Sequence, residues 1–439
     1  MKRLKSTLHG LSRATIASAF WLSTRFLFHV EVHGLDYDPK ASRTYYGMSH
    51  KRDVDPIVII PALLFHGGWR ALAGDVHFAL RDDAFSPGYL ARITMRPRWF
   101  ARFMRLLAIG PALRWLGAQP IQDLSRPAEE WIRELLDLGY NKRVGDILAP
   151  AFIEELATVT GAPGIGTYKL SRLLDWRYQD VLQHHYGPEI ILGPARRVLE
   201  RRIVGRIKED LAALDTWLWK GGSLYGSPEG QLSPDGKLSP INTGMHRLMK
   251  AAPPETSLIP ICIIYDFMTL RKLRIFIDLA PPIEHAPGLS SKELDAQLRM
   301  GWVQNARFTC TQLASGFLIH ASRAGLPSFT LEDLVNDLYH QAVKLSEAGR
   351  HVDQRLLKPS VVRKRAADFL KFAARHGLVR HSGNHTWVPT VTETVLQVRL
   401  KEVGYDQAPL MYAWNELQEM LTDPLVHTQV TSSVMRDIT

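Results

Sequence analysis

Arg43-Thr44-Tyr45-Tyr46-Gly47-Met48-Ser49-His50-Lys51-Arg52-Asp53-Val54-Asp55-Pro56-Ile57-Val58-Ile59-Ile60 is the stretch around which the front of the chain is organised. Up to Met48 its β-branched and aromatic residues have the makeup of a short strand. From Pro56 an apolar run opens of the kind that starts a buried helix, with Asp55 at its N-cap. His50 then sits on the turn leaving a strand, one short loop from Asp55. Across that turn a carboxylate reaches the far nitrogen of an imidazole. It fixes the tautomer, raises the basicity of the other nitrogen and stabilises imidazolium once formed. Taken alone, H-x4-D is a common spacing, and Asp55 serves equally well as a helix cap.

The 439 residues are enough for two domains and a large core, and 46% hydrophobic with 22% charged residues describes an ordinary globular chain. Cys262 and Cys310 stand far apart and suggest neither a disulfide framework nor a metal site, so a reducing compartment is expected. A formal charge of +10 favours an anionic partner: a membrane surface, nucleic acid, or a phosphorylated or CoA-type substrate. No apolar run is long enough to span a bilayer. The nearest, Ala14 to Phe28, is broken by Arg25 and preceded by Lys2, Arg3, Lys5 and Arg13. A basic, aromatic-rich helix over residues 1–30 either lies in the membrane interface or packs on its own domain.

Further along, Glu31 to Gly34 and Asp75 to Leu80 read as strands. The window from Ala84 to Gln122 holds no acidic residue but carries Arg92, Arg96, Arg98, Arg102, Arg105 and Arg114 among Tyr89, Trp99, Phe100, Phe103 and Trp115. That mixture suits a phospholipid surface, a solvated basic face over a packed apolar one, or less well single-stranded nucleic acid. Residues 123–196 read as a helical insertion, with helices over Glu129–Leu138, Ile147–Ala157 and Tyr168–His184. Gly161 to Thr167 lacks the lysine of a phosphate loop and is a turn; His184-His185 has no further metal ligand at useful spacing. A helix from Arg202 to Lys220 ends at Gly221-Gly222. Strand, turn, helix and two more strands follow, to Leu279. The expected architecture is α/β, a mixed sheet flanked by helices over residues 31–288. Residues 289–439 turn helical. There Val361–Gly377 and the pair Leu378–Arg380 and His385–Val388 have the helix-then-hairpin order of a winged helix, a fold that binds DNA or serves as a packing module.

The second block is Gly222-Ser223-Leu224-Tyr225-Gly226-Ser227-Pro228-Glu229-Gly230-Gln231-Leu232-Ser233-Pro234-Asp235-Gly236-Lys237-Leu238: a strand, a Pro-Glu-Gly turn and an Asp-Gly turn. Together with Ser49-His50…Asp55 it resembles the glycerolipid acyltransferase superfamily, the lysophosphatidate and glycerol-3-phosphate acyltransferases, whose blocks are N/S-H-x4-D, a later arginine, F-P-E-G-T-R-S and V-P-V/I. Ile259-Pro260-Ile261 is similar to the last of these. The resemblance covers about residues 30–283, with order and spacing in agreement.

The resemblance implies acyl transfer from acyl-CoA or acyl carrier protein to the hydroxyl of a glycerol-3-phosphate or lysophosphatidate-type acceptor in phospholipid synthesis, at the cytoplasmic face of a membrane. No metal or redox cofactor is implied. His50 would be the general base and Asp55 its orienting partner. Ser227, Glu229 and Gly230 would line the acceptor site. No serine or cysteine nucleophile pairs with His50, so direct transfer is expected rather than an acyl-enzyme. Two departures stand out. Gln231-Leu232-Ser233 replaces T-R-S, removing an arginine for the acceptor phosphate, with Lys237, or Lys51 and Arg52, as stand-ins. Asp123 falls where the middle arginine is expected, and Arg201 and Arg202 have the usual distance to the Pro-Glu-Gly turn if residues 123–196 split that block. The remaining readings are an acyltransferase for a non-phosphate lipid or sugar acceptor, and a catalytically dead, winged-helix protein binding nucleic acid.

Overall fold

The computed structural model describes residues 2–37, 43–52, 54–66, 76–85, 89, 108–182, 184–230, 233, 235–383, 386–391 and 409–422. Most of the basic aromatic window of the sequence therefore lies outside the described residues. The chain opens with helix α1 (Lys2–Leu27), strands β1 (His29–His33) and β2 (Thr44–Met48), helix α2 (Asp55–His66) and strands β3 (Val76–Arg81) and β4 (Ala118–Ile121). A small ribbon of β5 (Arg126–Pro127) and β6 (His185–Tyr186) encloses helices α3 (Ala128–Asp137) and α4 (Pro150–Thr160). Helix α5 (Gly193–Trp219), β7 (Ser223–Gly226), α6 (Thr243–Ala251), β8 (Ser257–Asp266) and β9 (Arg274–Leu279) complete the front part.

These strands form a mixed α/β sheet of seven, in the order β1-β9-β8-β2-β7-β3-β4, flanked by helices. Every pairing is parallel except β8 with β9. Parallel strands covered on both faces read as unbroken apolar runs rather than alternating ones; β2 and β9 are buried at every position. β2 lies at the centre, with Gly47 opposite Gly226 of β7 and Pro260 of β8. Its parallel register with β7 sends both strands out of the sheet at the same edge. There, beyond the carboxyl ends of the strands, an open α/β sheet leaves a crevice.

α1 lies against α2. Arg13, 1% exposed, is inserted from α1 so that its guanidinium donates to Val76 O at 3.3 Å and to Leu116 O. A charge buried this deeply needs such acceptors. The outward side of α1 presents Leu11, Leu22, Phe26 and Leu27, with Phe26 83% exposed.

The insertion has its own apolar core, built around Trp131, Ile132, Leu148, Leu156, Leu173 and Leu182. Two elements differ from their sequence expectation. Tyr168–His184 is not one helix but a chain of 3-10 turns and a short α-helix, Gln179–Leu182. Asp175 caps the turn after it by accepting from Arg177 N, and extended backbone at Lys169 pairs with Arg143, so the segment wraps its leucines around the core. α5 starts at Gly193 rather than Arg202, with Pro194 in its first turn. At 27 residues, about 40 Å long, it buries Ala195, Leu199 and Ile203 in the insertion and Leu214 and Leu218 against the main sheet.

After residue 290 come α7 (Ser291–Asn305), α8 (Cys310–Arg323), β10 (Phe329–Thr330), α9 (Leu331–Glu347), α10 (Pro359–Arg375), β11 (Val379–His381), β12 (Thr386–Pro389) and α11 (Pro409–Leu421). The three short strands pair antiparallel in the order β10-β12-β11, which with α8, α9 and α10 gives a winged-helix arrangement. One continuous apolar cluster runs from the seven-stranded sheet into these helices. Trp302 of α7, 1% exposed, donates its indole N–H to Gly47 O of β2 at 3.0 Å. A buried ion network ties the far edge. Arg365 of α10 and Arg274 of β9 both meet Asp266, which is 0% exposed, and Arg274 also holds Asp353 and Glu31. Cys262 and Cys310 are both free and buried.

Candidate active site

His50 sits two residues past the end of β2, on the loop into α2. Its Nδ1 lies 2.9 Å from Asp55 Oδ2. Asp55 is fully buried at the first residue of α2, and the same oxygen accepts from Lys51 N at 2.8 Å and Arg52 N at 2.9 Å. Its other oxygen accepts from the Tyr265 hydroxyl of β8. Asp55 is thus more than a helix cap. With so many donors directed at it the carboxylate stays an acceptor, so the Nδ1 proton belongs to His50 and Nε2 carries the lone pair. The His50 side chain is 17% exposed, and among the described residues its Nε2 meets no hydrogen-bond partner.

The Pro-Glu-Gly corner leaves the neighbouring strand β7 at the same edge. Gly230 N donates to Ser227 O at 3.1 Å, closing a turn that puts Gly230 at φ 71°. A side chain is strained there, and its Cβ would also fall 2.7 Å from Asn242 Nδ2. Glu229 points inward, 3% exposed. Its two oxygens accept from His50 N and Ser239 N, each at 2.7 Å. Ser233 N donates to His50 O at 3.0 Å, so the backbone of His50 is held on both sides by the second block. Burial pushes the Glu229 carboxyl above the ordinary range, opposed by Lys51 and by the two N–H donors.

A cavity of about 410 Å³ opens onto this edge. His50, Ser227, Pro228 and Gly230 line it, with Met48, Leu80, Tyr225, Leu211 and Leu248 among its apolar walls. Ser227 Oγ is buried and has no hydrogen-bond partner among the described residues. Three cations, Arg81, Lys208 of α5 and Arg247 of α6, and one carboxylate, Asp123, line the same space. Lys208 and Arg247 are exposed, and neither has an ion-pair partner among the described residues.

The expected site residues divide accordingly. His50, Asp55, Ser227, Glu229 and Gly230 come together, Asp55 and Glu229 behind the cavity rather than lining it. Arg201 and Arg202 are exposed on α5 and do not line the cavity; because α5 begins well before them, they lie upstream of the turn of helix that does. Lys237 is exposed on the Asp-Gly turn and also stays outside the cavity. Lys51 turns inward to Glu416, and the Arg52 guanidinium lies 4.5 Å over the Tyr265 ring, so neither lines the cavity. Lys208 and Arg247 were not picked out from sequence. The signal was present in the stripe Val204, Ile207, Lys208, Leu211, which marks one face of α5.

Among the described residues no group of three or more His, Cys, Asp or Glu could hold a metal ion, and no helix is long and apolar enough to cross a membrane. No protein-family model and no curated protein matches the chain. One of the solved structures that resemble it is the 1-acyl-sn-glycerophosphate (LPA) acyltransferase PlsC from Thermotoga maritima. The two share 13% identity at a TM-score of 0.33, over 67% of this chain and 78% of that one.

Proposed function

We propose that the protein is an O-acyltransferase, moving a fatty acyl chain from acyl-CoA or acyl carrier protein to the hydroxyl of a glycerol-phosphate-type acceptor. The observation that carries this reading is that His50, backed by Asp55, opens with Ser227 and Gly230 of the Pro-Glu-Gly corner into one cavity with largely apolar walls, whose charged lining is three cations and the single carboxylate of Asp123. An alcohol of pKa about 15 attacks a thioester only if a base takes its proton as the new bond forms. His50 Nε2 takes that proton, and buried Asp55 stabilises the resulting imidazolium. The acceptor oxygen bonds to the acyl carbon, the C–S bond breaks, and the proton passes from Nε2 to the departing thiolate. The apolar walls suit an alkyl chain. Lys208 and Arg247 suit an acceptor phosphate, taking over from the arginine that Leu232 replaces.

The same reading places the protein peripherally on the cytoplasmic face of a membrane, where the outward Leu22, Phe26 and Leu27 of α1 and the basic character of the chain support interfacial contact. The test is thiol release from acyl-CoA and acyl carrier protein against a panel of acceptors with and without phosphate. His50→Ala should abolish release. Lys208→Met with Arg247→Met should raise the KM of a phosphorylated acceptor about 10-fold or more, while Arg201→Ala with Arg202→Ala leaves it unchanged. Full activity of His50→Ala refutes the mechanism; a preference for acceptors without phosphate refutes the acceptor class.

A further inference from the structure

Lys51 follows the proposed base directly, yet its ammonium is only 3% exposed. It lies 3.4 Å from Glu416 Oε1 and donates to Gly236 O at 3.3 Å. Glu416 comes from α11, the last described helix, and is itself 5% exposed. Its other oxygen accepts from Gln312 Nε2 of α8 at 2.5 Å. The same helix holds the turn that follows the Pro-Glu-Gly corner. Asn415 Nδ2 donates to Asp235 O at 3.0 Å, and Tyr412 O lies so close to Gly236 that a Cβ there would come within 2.3 Å of it. Ser233, which grips His50 O, accepts from Gly236 N at 3.1 Å.

We infer that α11 positions the reactive loop, and that Glu416 is a positioning residue acting on His50 through Lys51. This inference rests on the reading of His50 as the base. Two buried carboxylates share one cation. Glu229 and Glu416 both attract the Lys51 ammonium, and burial would otherwise drive both carboxyls towards the neutral form. With Glu416 in place, Lys51 is drawn away from Glu229, whose two oxygens stay committed to His50 N and Ser239 N. Without it the ammonium is left buried with Glu229 as the remaining carboxylate that acts on it. A stranded buried charge seeks the nearest counter-charge. Lys51 would then compete for the oxygen that fixes the backbone of His50, and the imidazole would lose its alignment on Asp55. A residue far along the chain would in this way set the geometry of the base without touching substrate.

The test compares wild type, Glu416→Gln, Lys51→Met and the double variant. The readings are thiol-release kcat and KM, a thermal melt, and the imidazole resonances of His50 in protein labelled with 15N-histidine. Glu416→Gln should lower kcat about 100-fold at unchanged acceptor KM and shift the His50 resonances. Adding Lys51→Met removes the stranded charge and should restore about 10-fold of the loss. Wild-type kcat in Glu416→Gln overturns the inference, as does a double variant no better than the single. Should Glu416→Gln fail to fold, Asn415→Ala takes its place: about a 5-fold fall in kcat with the melt retained is expected, and an unchanged kcat overturns the inference. If His50→Ala keeps full activity, the base assignment fails. The His50 resonances of Glu416→Gln then still decide whether α11 positions that imidazole.

Discussion

Glu229→Gln exchanges one oxygen of a buried carboxylate for an amide nitrogen and leaves the shape of the side chain almost unchanged. In the native protein each oxygen accepts one backbone N–H at 2.7 Å, from His50 and from Ser239. An amide has a single acceptor oxygen, so one of those N–H groups must face an NH2 group. The loss is one charge-assisted hydrogen bond, about 1.5–3 kcal/mol, together with a buried donor left unsatisfied, about 1–3 kcal/mol. Relief of the carboxylate's own burial, visible in its raised pKa, offsets part of this. The net destabilisation should be about 2–4 kcal/mol, read from urea unfolding by linear extrapolation. Because the looser backbone is that of the proposed base, kcat for thiol release should fall about 100-fold with acceptor KM little changed. The opposite pattern, wild-type stability and kcat with a raised KM, would mean that Glu229 contacts the acceptor, and the account of it as an anchor for His50 would be wrong.

Asp55→Asn keeps an oxygen for the three donors on Oδ2 but removes the charge that stabilises imidazolium; kcat should drop about 10²–10⁴-fold, and a loss under 10-fold would refute the dyad. Arg365→Leu leaves Asp266, 0% exposed, without its nearest guanidinium, with Arg274 remaining at 3.9 Å. Urea unfolding should register a loss of about 3–5 kcal/mol, whereas a loss under 1 kcal/mol would show that Arg274 carries the site alone. Burial pushes the Asp337 carboxyl up to about 6, with Gln341 pulling the other way. The folded state therefore holds its proton more tightly than the unfolded state does. The contribution of Asp337 to stability is full below pH 3.8 and lost as pH rises through about 6. Asp337→Asn should accordingly stabilise the protein above pH 6, by up to about 3 kcal/mol, and change nothing near pH 3.5. Equal gains at both pH values in melts would contradict the assignment.

The strand-turn-helix around His50 was legible because Thr44–Met48 and Pro56–Ile60 carry strong local signals, and a parallel sheet amplifies them by burying both faces. The Pro-Glu-Gly corner was legible for the same reason, since its glycine occupies a backbone conformation that few residues adopt. What sequence reasoning missed depends on distant partners. Whether Lys51 reaches for substrate or for the interior is decided by Glu416, on a helix whose own pattern shows only an apolar face. Arg201 and Arg202 have the right separation from Pro228 in residues. Along α5, however, they lie upstream of the cavity, and Lys208, two turns further on from Arg201, lines it instead. The turns of residues 168–182 looked helical because Leu170, Leu173 and Val181 fall at spacings that both an α-helix and a wrapped segment can bury.

The strand order has a consequence for how the chain comes off the ribosome. β2, the central strand, is made early, but its partners β7 and β8 follow roughly 175 and 210 residues later. At typical rates of synthesis that is about 10–40 s during which an apolar strand has no edge to join. The anchor of Lys51 arrives later still, with the last described helix. Newborn protein should therefore depend on chaperones that shield β2, and expression at reduced temperature with slowed initiation should raise the soluble yield.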